Sequence, residues 1–221
     1  MKELNQFLET IKNSQNILLS TPREMGADNF CASLALFYTL NKLGKNVNLL
    51  LPRFLEKLRF LATQELLDSV GQGNIVISIS TQGNKIEKIL YEKNSKELKF
   101  NFDLKDGEVK IENISFKMKE KADMIINVGD NDLIFENRKY GSPPLRGIVP
   151  KNNSSSLCEK IIDFLKYNDE KLIDKNVATC LLAGLVYSTQ NFQNGKTKPV
   201  FLEKASYLME KGADYPKIIQ F

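Results

Sequence analysis

Asp28, Asp130 and Asp132 are the residues whose type and setting could do chemistry. Each lies in a polar turn close to a short apolar run. Hard divalent cations take carboxylate oxygens, and three loosely spaced carboxylates are a minimal set for one hydrated Mg²⁺. The plainer role is structural: Asp28 as an N-cap of the helix that follows it, Asp130 and Asp132 as turn residues. Four cations, Arg23, Arg138, Lys139 and Arg146, fall in predicted loops. A guanidinium fork matches phosphate geometry, although a solvated loop charge needs no ligand.

The chain has no histidine. Histidine is the commonest general acid/base and a frequent metal ligand, so Ser-His-Asp and Cys-His catalysis and imidazole-metal sites are excluded. Cys31, Cys158 and Cys180 form no CxxC pair and no metal-ligand spacing. An odd number of cysteines without a secretory signal points to reduced thiols in a cytoplasm, and Cys31 and Cys180 stand in apolar runs, as core thiols do. The net charge is only +4 over 221 residues, so charge alone argues neither for nucleic acid nor for a membrane surface. No apolar run reaches the roughly 20 residues needed to cross a bilayer.

The elements that must position these residues follow from periodicity and punctuation. Leu4, Phe7, Leu8 and Ile11 predict a helix over 3–15. Residues 16–20 and 47–51 read as buried strands, with a helix over 29–43 between them, capped by Asp28 or Asn29 and ended at Leu43-Gly44. A helical stretch is expected over 54–70. From 73 to 120 apolar and polar residues alternate, and Asp106-Gly107 between two such runs signals a hairpin. That region predicts a small antiparallel insertion of three or four strands. An apolar strand returns at 122–128. Residues 134–153 read as loop with a short strand at 147–149. Helices are expected over 156–167, capped by Ser154 or Ser155, over 175–188, capped by Asp174, and over 198–211, followed by a tail. The fold class is α/β: a mostly parallel sheet flanked by helices, one domain over 1–221 with a β-rich insertion at 73–120.

Asp28–Leu36 followed by Leu43-Gly44-Lys45 resembles the first motif of the DHH-family phosphoesterases. Ala122–Val128 with Asp132-Leu133, Ser154–Glu159, and Ala183–Val186 running through Thr189, Phe192, Thr197 and Pro199 are similar to later motifs of that family, in the same order. The oligoribonuclease/phosphoadenosine-phosphatase branch is the nearest in pattern. The resemblance implies a two-metal Mn²⁺ or Mg²⁺ centre built from Asp and His. Position by position, the family's ligands fall on Pro22, Gly26, Asp28, Gly129 and Ser188, of which only Asp28 is retained. Asp130 stands one place out of register. The Asp-His-His segment has no counterpart, and the chain ends where that branch continues into a substrate-binding domain.

The expectation is therefore a pseudoenzyme with no cofactor, a binding or interaction module on a phosphoesterase-like scaffold. Its partner surface would be the 73–120 insertion, facing another protein or a second copy. Two alternatives remain open. One is a nucleotide or short-oligonucleotide binder using Arg23, Arg138 and Arg146. The other is a residual phosphoesterase acting on short RNA or nucleotide phosphates through Asp28, Asp130 and Asp132.

Overall fold

The structure is a computed structural model of the chain. It describes all residues except 1, 23, 52–54, 70–73, 81–85, 95–97, 105–109, 118–121, 130–132, 138–144, 147–155, 196 and 221. Two compact units emerge, Met1–Gln72 with Lys121–Phe221, and Gly73–Glu120.

In the first unit, helix α1 (Lys2–Asn13) leads into strand β1 (Asn16–Ser20), helix α2 (Ala27–Lys42) and strand β2 (Asn46–Leu50). β1 and β2 run parallel, in register from Asn16 opposite Asn46. Strand β7 (Met124–Val128) lies parallel on the other side of β1. The Asp123 carboxylate fixes that approach by accepting from the backbone N–H of Gln15 and of Asn16, each at 2.9 Å. The mostly parallel α/β architecture expected from the strand–helix–strand pattern is thus present. α2 is buried continuously from Asn29 to Leu40 and α5 (Lys175–Ser188) from Val177 to Val186. Helices apolar all round belong in a core, and these two pack against each other there. α2 ends at Leu43, with Gly44 at φ 74°, the left-handed position that glycine adopts without a Cβ penalty.

Several expectations are corrected. The 54–70 stretch is not one helix. A 3₁₀ segment, Glu56–Leu61, precedes helix α3 (Gln64–Ser69). The break falls at Ala62-Thr63, where the Thr63 N–H donates to the Tyr38 hydroxyl and its Oγ1 accepts from the Leu66 N–H. That side chain starts a new helix rather than continuing the old one. The 134–153 loop is also wrong at its start. Leu133–Asn137 forms strand β8, antiparallel to β7, and Leu145–Arg146 forms strand β9 beside it. The sheet order is β2-β1-β7-β8-β9. β8 was hidden because Leu133-Ile134-Phe135 is a run of three apolar residues without clean alternation. Residues 147–149 lie outside the described residues. The tail is partly helical: α7 (Tyr215–Ile219) is capped by Asp214, which accepts from the Lys217 N–H.

Helix α4 (Leu157–Asp169) is capped by Ser156, not Ser154 or Ser155, whereas Asp174 caps α5 as read, accepting from the N–H groups of Asn176 and Val177. Helix α6 (Pro199–Glu210) completes the unit. Phe7 on α1 ties the layers together, its ring centroid 5.1 Å from Phe135 on β8 and 5.8 Å from Phe164 on α4.

Among its described residues the second unit holds four strands, β3 (Asn74–Ser80), β4 (Ile86–Lys93), β5 (Leu98–Leu104) and β6 (Lys110–Lys117). β3 pairs antiparallel with β6, and β4 with β5. The runs flanking Asp106-Gly107 therefore do not pair with each other: β5 takes β4 and β6 takes β3. Long-range pairing of β3 with β6 overrides the local hairpin signal, and residues 106–107 themselves lie outside the described residues.

Candidate functional site

The parallel strands β1 and β7 end side by side, and α2 begins beyond the end of β1. In sheet order β1 leads outward to β2, and the chain returns on its other side as β7. At such a reversal α/β proteins commonly bind ligands, outside the carboxyl ends of the strands.

Gly26 is the residue that starts α2, with φ −80° and no side-chain cap. Asp28 sits inside the first turn, so neither it nor Asn29 caps this helix. Both side chains bond neighbouring segments instead. Asn29 Nδ2 donates to the Gly129 carbonyl at 2.6 Å, tying α2 to the turn after β7. The Asp28 carboxylate caps α4. Its Oδ1 accepts from the Ser156 hydroxyl at 2.8 Å and the Cys158 N–H at 3.1 Å, and its Oδ2 from the Leu157 N–H. Ser156 Oγ in turn accepts from the Glu159 N–H at 3.3 Å. The free N–H groups that make a helix N-terminus a phosphate site are thereby met from within the chain, and the negative charge lies at the positive end of the α4 dipole.

Three further mapped positions complete the set. Pro22 lies in the loop after β1 and offers no side-chain donor. Gly129 follows β7 and supplies only its carbonyl. The Ser188 hydroxyl turns back on its own helix, donating to the Leu185 carbonyl at 3.2 Å. Gln190, Asn191 and Phe192 then follow at φ 52°, 58° and 61°. Three consecutive non-glycine residues in the left-handed region cost roughly 1–2 kcal/mol each, and the turn is held by Asn191 N–H to the Val186 carbonyl at 2.7 Å and Phe192 N–H to Thr189 Oγ1 at 3.0 Å. Arg23, Asp130, Asp132, Arg138 and Lys139 lie outside the described residues. Arg146 is placed by its backbone alone, opposite Ile134 in the β8–β9 pair.

This donor set does not fit a two-metal centre. Pro22, Gly26 and Gly129 bring no ligating side chain, Ser188 is neutral, and Asp28 already uses about three of a carboxylate's four acceptor sites. Among the described residues no group of three or more Cys, Asp or Glu side chains could hold a metal.

Behind the cap lie the thiols. Cys31, Cys158 and Cys180 are all reduced and buried. Cys158 donates its S–H to the Asp28 carbonyl at 3.4 Å. Burial, then the Asp28 charge and neighbouring thiols, pushes the Cys158 thiol well above its ordinary range; burial, then Cys180 and Asp28, does the same for Cys31. Burial and then Asp174 raise Cys180. These thiols stay protonated and are poor nucleophiles.

Sequence reasoning missed one cluster. Glu159 on α4 and Lys204 on α6 are both buried, with Lys204 Nζ 3.0 Å from Glu159 Oε1 and 2.7 Å from Asp163 Oδ1. Glu159 Oε2 has no hydrogen-bond partner. The signal was present: Lys204 interrupts an apolar face of Phe201, Ala205 and Leu208, and a lysine there needs a buried counter-charge.

No protein-family model matches the chain, and no curated protein matches it in sequence. Among solved structures it is similar to an exopolyphosphatase-related protein from Bacteroides fragilis, with a TM-score of 0.59 and 13% identity over 98% of this chain. The match covers 58% of that protein, so the chain spans a little over half its length. At this identity the likeness is one of fold, and it agrees with the α/β architecture expected from the sequence.

Proposed function

We propose that this chain is a catalytically inactive relative of the DHH phosphoesterases that acts as a binding or interaction module. One observation carries the reading. Asp28, the one family ligand position still holding a carboxylate, spends its oxygens on the N-terminus of α4. The neighbouring ligand positions are Gly26 and Gly129, whose carbonyls bond the Phe30 N–H and Asn29 Nδ2. The place of a metal–phosphate centre is taken by a set of internal hydrogen bonds that lock α2, α4 and the β7 turn together. A scaffold closed in this way keeps its core and frees its surface for another role.

The test is an assay of the full chain with Mn²⁺ on short RNA, phosphoadenosine phosphate and cyclic dinucleotides. No turnover is expected with any of them. Turnover that Asp28→Asn abolishes in a folded protein would overturn the proposal. Saturable binding without turnover would make the ligand of the module a nucleotide.

A further inference from the structure

The β4–β5 ribbon leaves apolar side chains on both of its faces in water. Ile89 is 57% exposed, Leu90 45% and Tyr91 71%. On a strand, Ile89 and Tyr91 share one face, and Leu90 stands on the other with Lys88 and Glu92. Among the described residues β4 is hydrogen-bonded to β5 alone, so its second edge presents unpaired backbone groups. A two-stranded ribbon with exposed apolar residues is marginal in water and is stabilised by further strands.

The order of residues along β4 says which strand fits. Lys88-Ile89-Leu90-Tyr91-Glu92 is self-complementary about Leu90. Set antiparallel to a copy of itself about a twofold axis at Leu90, the strand brings Lys88 opposite Glu92, Ile89 opposite Tyr91 and Leu90 opposite Leu90. Every cross-strand pair is then either oppositely charged or apolar, the combinations that stabilise antiparallel ladders. In sequence the pattern extends one place further, to Glu87 and Lys93.

Other registers lose this match. Moving the axis to Tyr91 sets Leu90 against Glu92 and Ile89 against Lys93. A half-step toward Tyr91 sets Lys88 against Lys93 and Ile89 against Glu92. Like charges or a charge facing an apolar residue penalise both, so the pattern selects one register and one symmetry. β5 carries Asn101 at its centre where β4 carries Leu90.

We propose that β4 is a homodimerisation edge. Two chains pair antiparallel through β4 about a twofold axis at Leu90, giving a continuous β5-β4-β4-β5 sheet. The contact is isologous, so it closes at two copies. It names a partner for the interaction-module reading but does not rest on loss of catalysis. An active enzyme could dimerise in the same way, and the two proposals fail separately.

Sedimentation equilibrium of the full chain tests it. A concentration-dependent monomer–dimer equilibrium is expected. Leu90→Lys and Leu90→Glu should each raise the dissociation constant about tenfold or more, since like charges then meet at the axis. An equimolar mixture of the two variants should regain the dimer, because Lys then faces Glu. Leu90 is exposed, so both variants should keep the parent's circular dichroism. A readout without charge comes from Leu90→Cys, which mild oxidation should link to the same position of a second chain. Asn101→Cys is its control, the native thiols being buried. A monomer at all concentrations, a dimer indifferent to both charged variants, variants that stay apart when mixed, or cross-linking at 101 in place of 90 would each overturn the proposal.

Discussion

Asp28 concentrates the residue-scale result. Its carboxylate holds the Ser156 hydroxyl and two backbone N–H groups of α4, and removing it leaves three donors unmet. Asp28→Ala should therefore cost about 2 kcal/mol in urea denaturation, and Asp28→Asn about half as much, since an amide oxygen still accepts. An unchanged midpoint for both variants would show that the cap contributes nothing. The thiols give a pH dependence. Cys31, Cys158 and Cys180 bind their protons more tightly folded than unfolded. Below about pH 9 both states are protonated and the stability from these groups is fully present. Above that pH the unfolded chain releases protons that the fold retains, so stability falls as pH rises, by at most roughly 1.4 kcal/mol per thiol per pH unit. Denaturation midpoints between pH 8 and 10.5 should decline, and conservative replacement of the thiols by Ser should flatten the slope.

At the scale of elements, the close approach of α2, α4 and α5 depends on Gly184. A Cβ added there would stand 3.1 Å from Cys31 Cβ and 3.2 Å from Cys158 Cβ, and would collide outright with Cys158 Sγ. Gly184→Ala should destabilise by about 1–3 kcal/mol through overpacking. Cys158→Ala removes the colliding sulfur, so Gly184→Ala should cost less in that background. A double-mutant cycle reads the coupling, and strictly additive losses would mean that the helices yield elsewhere. Periodicity identified α2 and α5 as helices, and the Gly44 stop and Asp174 cap were read from residue type alone. It could not identify β8, whose partner β7 supplies the hydrogen bonds that make it a strand.

For the whole molecule, the division at Gly73 and Glu120 has a direct consequence. Asn74 stands opposite Lys117 in the β3–β6 ladder, so the two ends of the insertion's own ladder lie about 5 Å apart, as in any antiparallel pair. Replacing 74–117 with a short Gly-Ser linker should leave the first unit folding cooperatively, with a melting midpoint within about 4 °C of the parent. It should also abolish the dimer proposed through β4. A chain that no longer unfolds cooperatively would show that the first unit relies on the insertion.

The sequence by itself determined the α/β class, the strand–helix–strand start, the alternating insertion and most helix boundaries. These depend on apolar spacing and capping residues within a few positions of each other, and that information is local. It also limited the chemistry, since a chain without histidine cannot perform imidazole catalysis in any fold. Tertiary structure alone decided what Asp28 caps. The residue reads as a cap for the helix that contains it, yet its partners lie 128 to 130 residues away on α4. The same holds for the pairing of β6 with β3, for the burial of Lys204 against Glu159, and for the contact at Gly184. In each case the physical cause is proximity between segments distant in the chain, which no local pattern encodes.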